Sequence, residues 1–233
     1  MMGLKPERRV VYGPDRWRLL DELRARAEKV MSRLASAGQP SLVYGSVARG
    51  DVDERSDVDV VILRPRLPAS TIEMILREEL GDPARREITQ ATPSSAVKGY
   101  IHFDGNVVVS LPLTDLGERE EEFYRFGGCL DLEGIRNRER TPGVSKELML
   151  ILPTPEGHAE VSVWGKEEVV ARVLGISVGT VEERVRVLTE RRIRGKTGLY
   201  VHYTLGLDES FEGALKRLAS VKKGLRRKLG ELF

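Results

Sequence analysis

The stretch from Ser56 to Ile62 reads Ser-Asp-Val-Asp-Val-Val-Ile, and it constrains the fold more than any other part of the chain. Val58, Val60, Val61 and Ile62 mark a β-strand, because β-branched side chains suit a pleated, half-buried surface. Side chains two apart on a strand share a face. Asp57 and Asp59 therefore project together from one side, while Val58, Val60 and Ile62 enter the core from the other. Two carboxylates at that spacing repel, and aspartate disfavours strands, so the pattern is a poor choice for stability alone. A cation between the two makes it sensible.

What comes before the strand points to the same chemistry. Ser41 to Gly45 reads as a short strand, and Ser46 to Gly50 as a helical turn. Strand, glycine and helix start present backbone N–H groups that suit a phosphate, and Gly45 lets it approach the backbone closely. Arg49 follows within one turn and can add charge against the same anion. Asp57 and Asp59 can hold Mg²⁺ (or Mn²⁺), which takes carboxylate and phosphate oxygens. An anchored triphosphate, a metal on its oxygens and carboxylates fixing the metal are the parts of phosphoryl chemistry. The stretch is not a Walker A loop, since no Gly-Lys-Ser/Thr stands at the required spacing.

Gly-Ser, then Arg-Gly, then Ser-Asp-Val-Asp in an apolar strand resembles the signature of the DNA polymerase beta-like nucleotidyltransferases. More narrowly, the chain resembles archaeal-type members in which a minimal nucleotidyltransferase domain precedes a winged helix. The close match covers Tyr44 to Ile62, and the order of elements extends it loosely to about Leu113. The resemblance implies an α/β (α+β) fold, a mixed sheet with flanking helices, in which Gly45 and Ser46 bind nucleotide phosphates and Asp57 and Asp59 bind the metal. It also implies a third acidic residue on the strand after the next helix. By order that position falls at Thr89, which is not acidic. Glu87, one pleat away on the same face, is the candidate to replace it as catalytic base.

The rest of the chain reads as follows. Trp17, Leu20, Leu23, Ala27, Val30, Met31 and Leu34 recur at helical spacing between Gly13-Pro14-Asp15 and Gly38. Thr71 to Leu80 is an amphipathic helix, Arg85 to Ala91 a strand, and Tyr100 to Leu113 a hairpin around Asp104-Gly105. Thr114 to His158 is less legible, with a helix at Arg119–Phe126 and a strand at Glu147–Pro153. Val169 to Leu188 resembles a helix-turn-helix, with Gly175 at the turn and Ser177 capping the second helix. Ile193 to Leu205 reads as a wing hairpin, and Glu209 to Leu232 as a basic helix. The expected organisation is a nucleotidyltransferase domain over 1–162 and a winged-helix domain with a closing helix over 163–233. Thr180, Arg184, Arg194 and Lys196 are the candidate nucleic-acid contacts, for DNA or RNA as acceptor or target.

Composition adds bounds. The 38 basic and 36 acidic residues nearly cancel, so net charge alone names no partner. Cys129 is the single cysteine, which excludes an intramolecular disulfide and leaves a thiolate metal site unsupported. No apolar run approaches membrane-span length, and a cytoplasmic location with no membrane partner is the plain expectation. Scarce Asn and Gln beside abundant Arg, Glu and Lys is the balance expected of a heat-adapted protein. His102, His158 and His202 show no ligand spacing and read as strand, turn and wing residues. Two readings follow: a nucleotidyltransferase acting from an NTP on a hydroxyl, and a nucleotide-binding regulator without turnover.

Overall fold

The computed structural model describes residues 5–195 and 198–229, without the side chains of Lys223, Arg227 and Lys228. The chain opens with β1 (Arg8–Val11), α1 (Pro14–Ser36), β2 (Leu42–Tyr44), α2 (Ser46–Arg49), β3 (Val58–Val61) and α3 (Ala69–Leu80). Next come β4 (Arg85–Gln90), β5 (Lys98–Phe103), β6 (Val107–Pro112), α4 (Glu118–Gly127), β7 (Cys129–Leu130) and α5 (Leu132–Arg136). There follow β8 (Gly143–Val144), β9 (Met149–Thr154), β10 (Gly157–Ser162), α6 (Glu167–Leu174) and α7 (Val178–Arg194). The last elements are β11 (Val201–Thr204), α8 (Phe211–Val221) and α9 (Lys223–Leu229). The architecture is a mixed β-sheet with flanking helices, plus a second, antiparallel sheet. Among the described residues no helix is long and apolar enough to cross a membrane.

The chain divides into two compact units, and β3 passes from one to the other between Asp59 and Val60. The second unit takes in Lys29–Ser41, Val60–Gly117 and the described residues after 197. Its strands run in the order β11-β4-β5-β6-β3. Ile88, Ile101, Phe103, Val109 and Leu111 are buried from the sheet, Ile72 and Leu76 from α3, and Phe211 from α8. Burying each such side chain stabilises by about 1.5–3 kcal/mol, which is what holds short helices on the sheet. Gly99 is required here, because a Cβ would sit 2.9 Å from the Phe211 ring. The β5–β6 hairpin pairs Phe103 with Val107, so its turn has three residues, with Gly105 and Asn106 at positive φ. Arg86 bonds Glu73 at 2.9 Å and the carbonyls of Leu207 and Glu209, which ties the segment after β11 to α3.

The first unit takes in Leu42–Asp59 with the described residues of 1–28 and 118–197. Here β7 pairs β2 antiparallel, and β1-β10-β9-β8 form the antiparallel sheet. Leu150 and Val161 from this sheet, and Val163 just after it, share one apolar cluster with Val170 and Ala171 of α6, Val181 and Val185 of α7, and Phe126 of α4. The turn between α6 and α7 follows from sequence. Gly175 adopts φ 63° at the turn, and the Ser177 hydroxyl accepts from Thr180 N–H at the start of α7.

The wing is a correction. Arg191–Arg194 stay helical at the end of α7, and Val201–Thr204 does not fold back as a hairpin. It pairs antiparallel with β4 instead, His202 opposite Thr89 and Thr204 opposite Glu87. The open edge of β4 takes up the segment in a ladder of four residue pairs. The segment expected as a separate carboxy-terminal domain thus gives α6 and α7 to the first unit, and β11, α8 and α9 to the second.

Candidate nucleotide site

The chain leaves β2 through Gly45, whose φ of 81° and ψ of −146° lie where only glycine is comfortable. Gly45 N–H donates to Gly128 O at 2.9 Å, which pins the turn to the loop after α4. The first turn of α2 leaves the N–H groups of Ser46 and Val47 without helical partners, as at any helix start. Ser46 Oγ donates to Ser56 Oγ at 3.2 Å, and the same Ser56 oxygen accepts from Asp53 N–H at 2.9 Å. The glycine-serine turn is therefore stitched to the residue directly before Asp57.

Asp57 is exposed and Asp59 half-buried, with Val58 and Val60 fully buried beside them. The alternation expected from sequence is what the strand shows. The Asp59 carboxyl is pushed up to about 6, first by burial and then by the negative charge of Asp57, with Lys146 opposing. Two carboxylates set so that one resists ionisation are suited to a hard cation, which takes one or two carboxylates and fills its shell with phosphate oxygens and water. The pair therefore fits a single Mg²⁺. Among the described residues there is no group of three or more His, Cys, Asp or Glu placed to hold a metal.

Arg49 is a correction. Its guanidinium grips Asp51 with two parallel bonds, both 2.9 Å, and donates to Gly127 O at 2.7 Å. The side chain is buried, and with these partners it clamps the turn rather than meeting a phosphate. The sequence placed it near the site correctly but could not show Asp51 or the Gly127 carbonyl competing for it.

Glu87 is a second correction. In the strand order β4-β5-β6-β3, two strands separate it from β3, roughly 14 Å at the usual interstrand spacing. Its carboxylate accepts from His202 Nε2 at 2.6 Å and from His102 Nε2 at 2.8 Å. Burial raises its pKa, but these bonds and the charge of Arg85 outweigh that and hold it below the usual glutamate range. Thr89 lies on the same distant strand. The strand beside β3 is β6, Val107–Pro112, which contains no carboxylate.

The nucleic-acid candidates separate. Thr180 is buried, and its hydroxyl donates to Glu122, which also accepts from Ser177 N–H at 2.9 Å. Arg184 stacks 4.7 Å over the Phe123 ring, and burial pushes its pKa down to about 10. Both residues are occupied in packing α7 on α4. Arg194 is exposed at the end of α7, and Lys196 lies outside the described residues. Lys146, in the loop before β9, faces Asp59 electrostatically, and nothing in its local sequence signals this.

Residues 25–109 match the family model of the nucleotidyltransferase domain, a span that includes Gly45, Ser46, Asp57 and Asp59. A nucleotidyltransferase domain of the DNA polymerase beta-like class is thus present in the chain. The match ends before α4, so it does not reach the helical pair α6–α7. No curated protein matches the chain.

Proposed function

We propose that the chain binds a nucleoside triphosphate with Mg²⁺ or Mn²⁺ at Asp57 and Asp59, and transfers its nucleotidyl group to a hydroxyl acceptor, the new bond to the α-phosphorus replacing its bond to the departing pyrophosphate. The observation that carries this reading is the aspartate pair, where Asp59 is pushed up to about 6 by burial and by Asp57, inside the matched domain. Mg²⁺ bound there would offset phosphate charge and favour attack at phosphorus. The chain's own part is positioning. Gly45 keeps the turn open, Ser46 and the N–H groups of the first turn of α2 meet the phosphates, and Lys146 brings a positive charge toward the carboxylates. A nucleic-acid acceptor would be met by the exposed Arg191, Arg192 and Arg194 on the last turn of α7, the part of the expected winged helix still available for it.

A second reading has its own support. No carboxylate stands on β6, and Glu87 is held by two histidines, so the acceptor proton has no assigned base. That favours a nucleotide-binding regulator without turnover. Purified protein, each labelled NTP with Mg²⁺ or Mn²⁺, and mixed RNA, DNA and protein acceptors decide between them. Label transfer that Asp57→Asn abolishes supports the enzyme. Metal-dependent NTP binding without transfer supports the regulator, and NTP affinity unchanged in Asp57→Asn removes both.

A further inference from the structure

Within the first unit, one face of the β1-β10-β9 sheet and the helix α6 enclose a groove of about 1010 Å³. Strand alternation sets its floor. Arg9 and Val11 pair with Ala159 and Gly157, and Ala159 pairs with Leu152, so these residues share a face. From α6, Val173 and Arg172 complete the wall. Val11 is 70% exposed and Val173 39%, which leaves the apolar floor open to solvent. The volume lies at the top of the range of roughly 300–1,000 Å³ that small-molecule sites occupy, larger than a surface dimple.

The charges of the groove are unequal. Among the described residues the side chains of Arg9 and Arg172 enter no hydrogen bond or ion pair. Glu156, at the β9–β10 turn, is the acidic residue of the lining. His158 also lines it but is committed on both ring nitrogens, to Tyr12 Oη at 2.6 Å and Glu160 at 3.0 Å. It is a fixed part of the wall. An apolar floor with two unpaired guanidiniums asks for a ligand with both characters, because a guanidinium pairs strongly with carboxylate or phosphate oxygens.

We propose that this groove binds a small amphiphilic anion, its apolar body on Val11, Leu152, Ala159 and Val173 and its anionic head paired with Arg9 and Arg172. None of these residues belongs to the Gly45–Asp59 region, so the site is additional to the proposed nucleotide site.

Fluorescence titration of the full chain with 8-anilinonaphthalene-1-sulfonate tests this, with decanoate, decyl phosphate and decanol as competitors. The expected result is one saturable site that either anion clears at least about tenfold more effectively than decanol. Arg9→Ala with Arg172→Ala should weaken the probe at least about tenfold, and Val173→Asp should abolish its binding. Val11→Asp, on an exposed edge strand, stands in if Val173→Asp does not fold. Asp57→Asn should leave probe binding unchanged, which separates this site from the nucleotide reading. No saturable binding up to about 1 mM probe, or equal affinity in the arginine double variant and its parent, overturns the proposal.

Discussion

Glu87 on β4 and His202 on β11 are joined by a 2.6 Å hydrogen bond, and His102 on β5 reaches the same carboxylate from the other side at 2.8 Å. One buried carboxylate thus sews the strand that follows α7 onto the sheet edge. Glu87→Gln removes the charge from both bonds and should lower stability by about 1.5–3 kcal/mol. Its sign with pH is defined. The folded pKa lies below the usual glutamate value, so the stabilisation is full above that value and lost as pH falls through the folded one. Urea unfolding should show parent and variant converging below about pH 4. Hydrogen exchange at Val201 and Tyr203 should quicken in the variant before global unfolding does.

Asp57→Asn should act in opposite directions on stability and binding. The Asp59 pKa is raised, so its ionisation disfavours the fold: that stability is full below an ordinary aspartate value and lost as pH rises through about 6. Removing the charge of Asp57 lessens the loss. In a chelator at pH 7.5 the variant should be more stable by about 1 kcal/mol, the scale of a partly screened like-charge pair. Isothermal titration with Mg²⁺ and NTP should find binding gone in the same variant.

Arg49 should prove structural. Its bidentate grip on Asp51 is largely buried on both sides, and removing one partner strands the other. Arg49→Ala should cost about 3–5 kcal/mol. Arg49→Lys should recover only part of this, since an ammonium cannot match two carboxylate oxygens and the Gly127 carbonyl together. Metal–NTP affinity measured on whatever fraction of Arg49→Lys is folded should stay within about threefold of the parent. A larger loss would return Arg49 to the phosphate site.

How much was legible depended on the range of the interaction. The α1 stripe, the Gly45 turn, the Asp57–Asp59 face and the Ser177 cap are local, fixed by periodicity or by one residue's backbone freedom, and all appear where sequence places them. Partner choice is not local. Thr204 faces Glu87 across 117 positions of chain, and a wing hairpin and a sheet-edge strand look alike over Val201–Thr204. The strand β10 was hidden because Pro155 and Gly157 make the stretch around His158 read as a turn, whereas Pro155 and Glu156 alone form the hairpin's corner and Gly157 already pairs with Thr154. For Glu87, order along the chain was a poor guide to position in the sheet: β6, not β4, runs beside β3.

The last prediction concerns two arginines of one helix. Arg184 lies over Phe123, its stem packed and its charge facing a ring, whereas Arg194 is exposed at the far end of α7. Arg184→Ala should destabilise by about 1–2 kcal/mol through lost cation–π attraction and packing. Arg194→Ala should change stability by less than about 0.5 kcal/mol. If α7 meets nucleic acid through its last turn, binding should respond in the reverse order. Arg194→Ala should weaken DNA or RNA binding for all sequences and reduce the salt dependence by about one phosphate contact, while folded Arg184→Ala keeps the parent's slope. Salt titrations of both variants against one duplex and one single strand give the slopes. Identical slopes for Arg194→Ala and the parent would take the last turn of α7 out of the interface and leave the helical pair a packing element against α4.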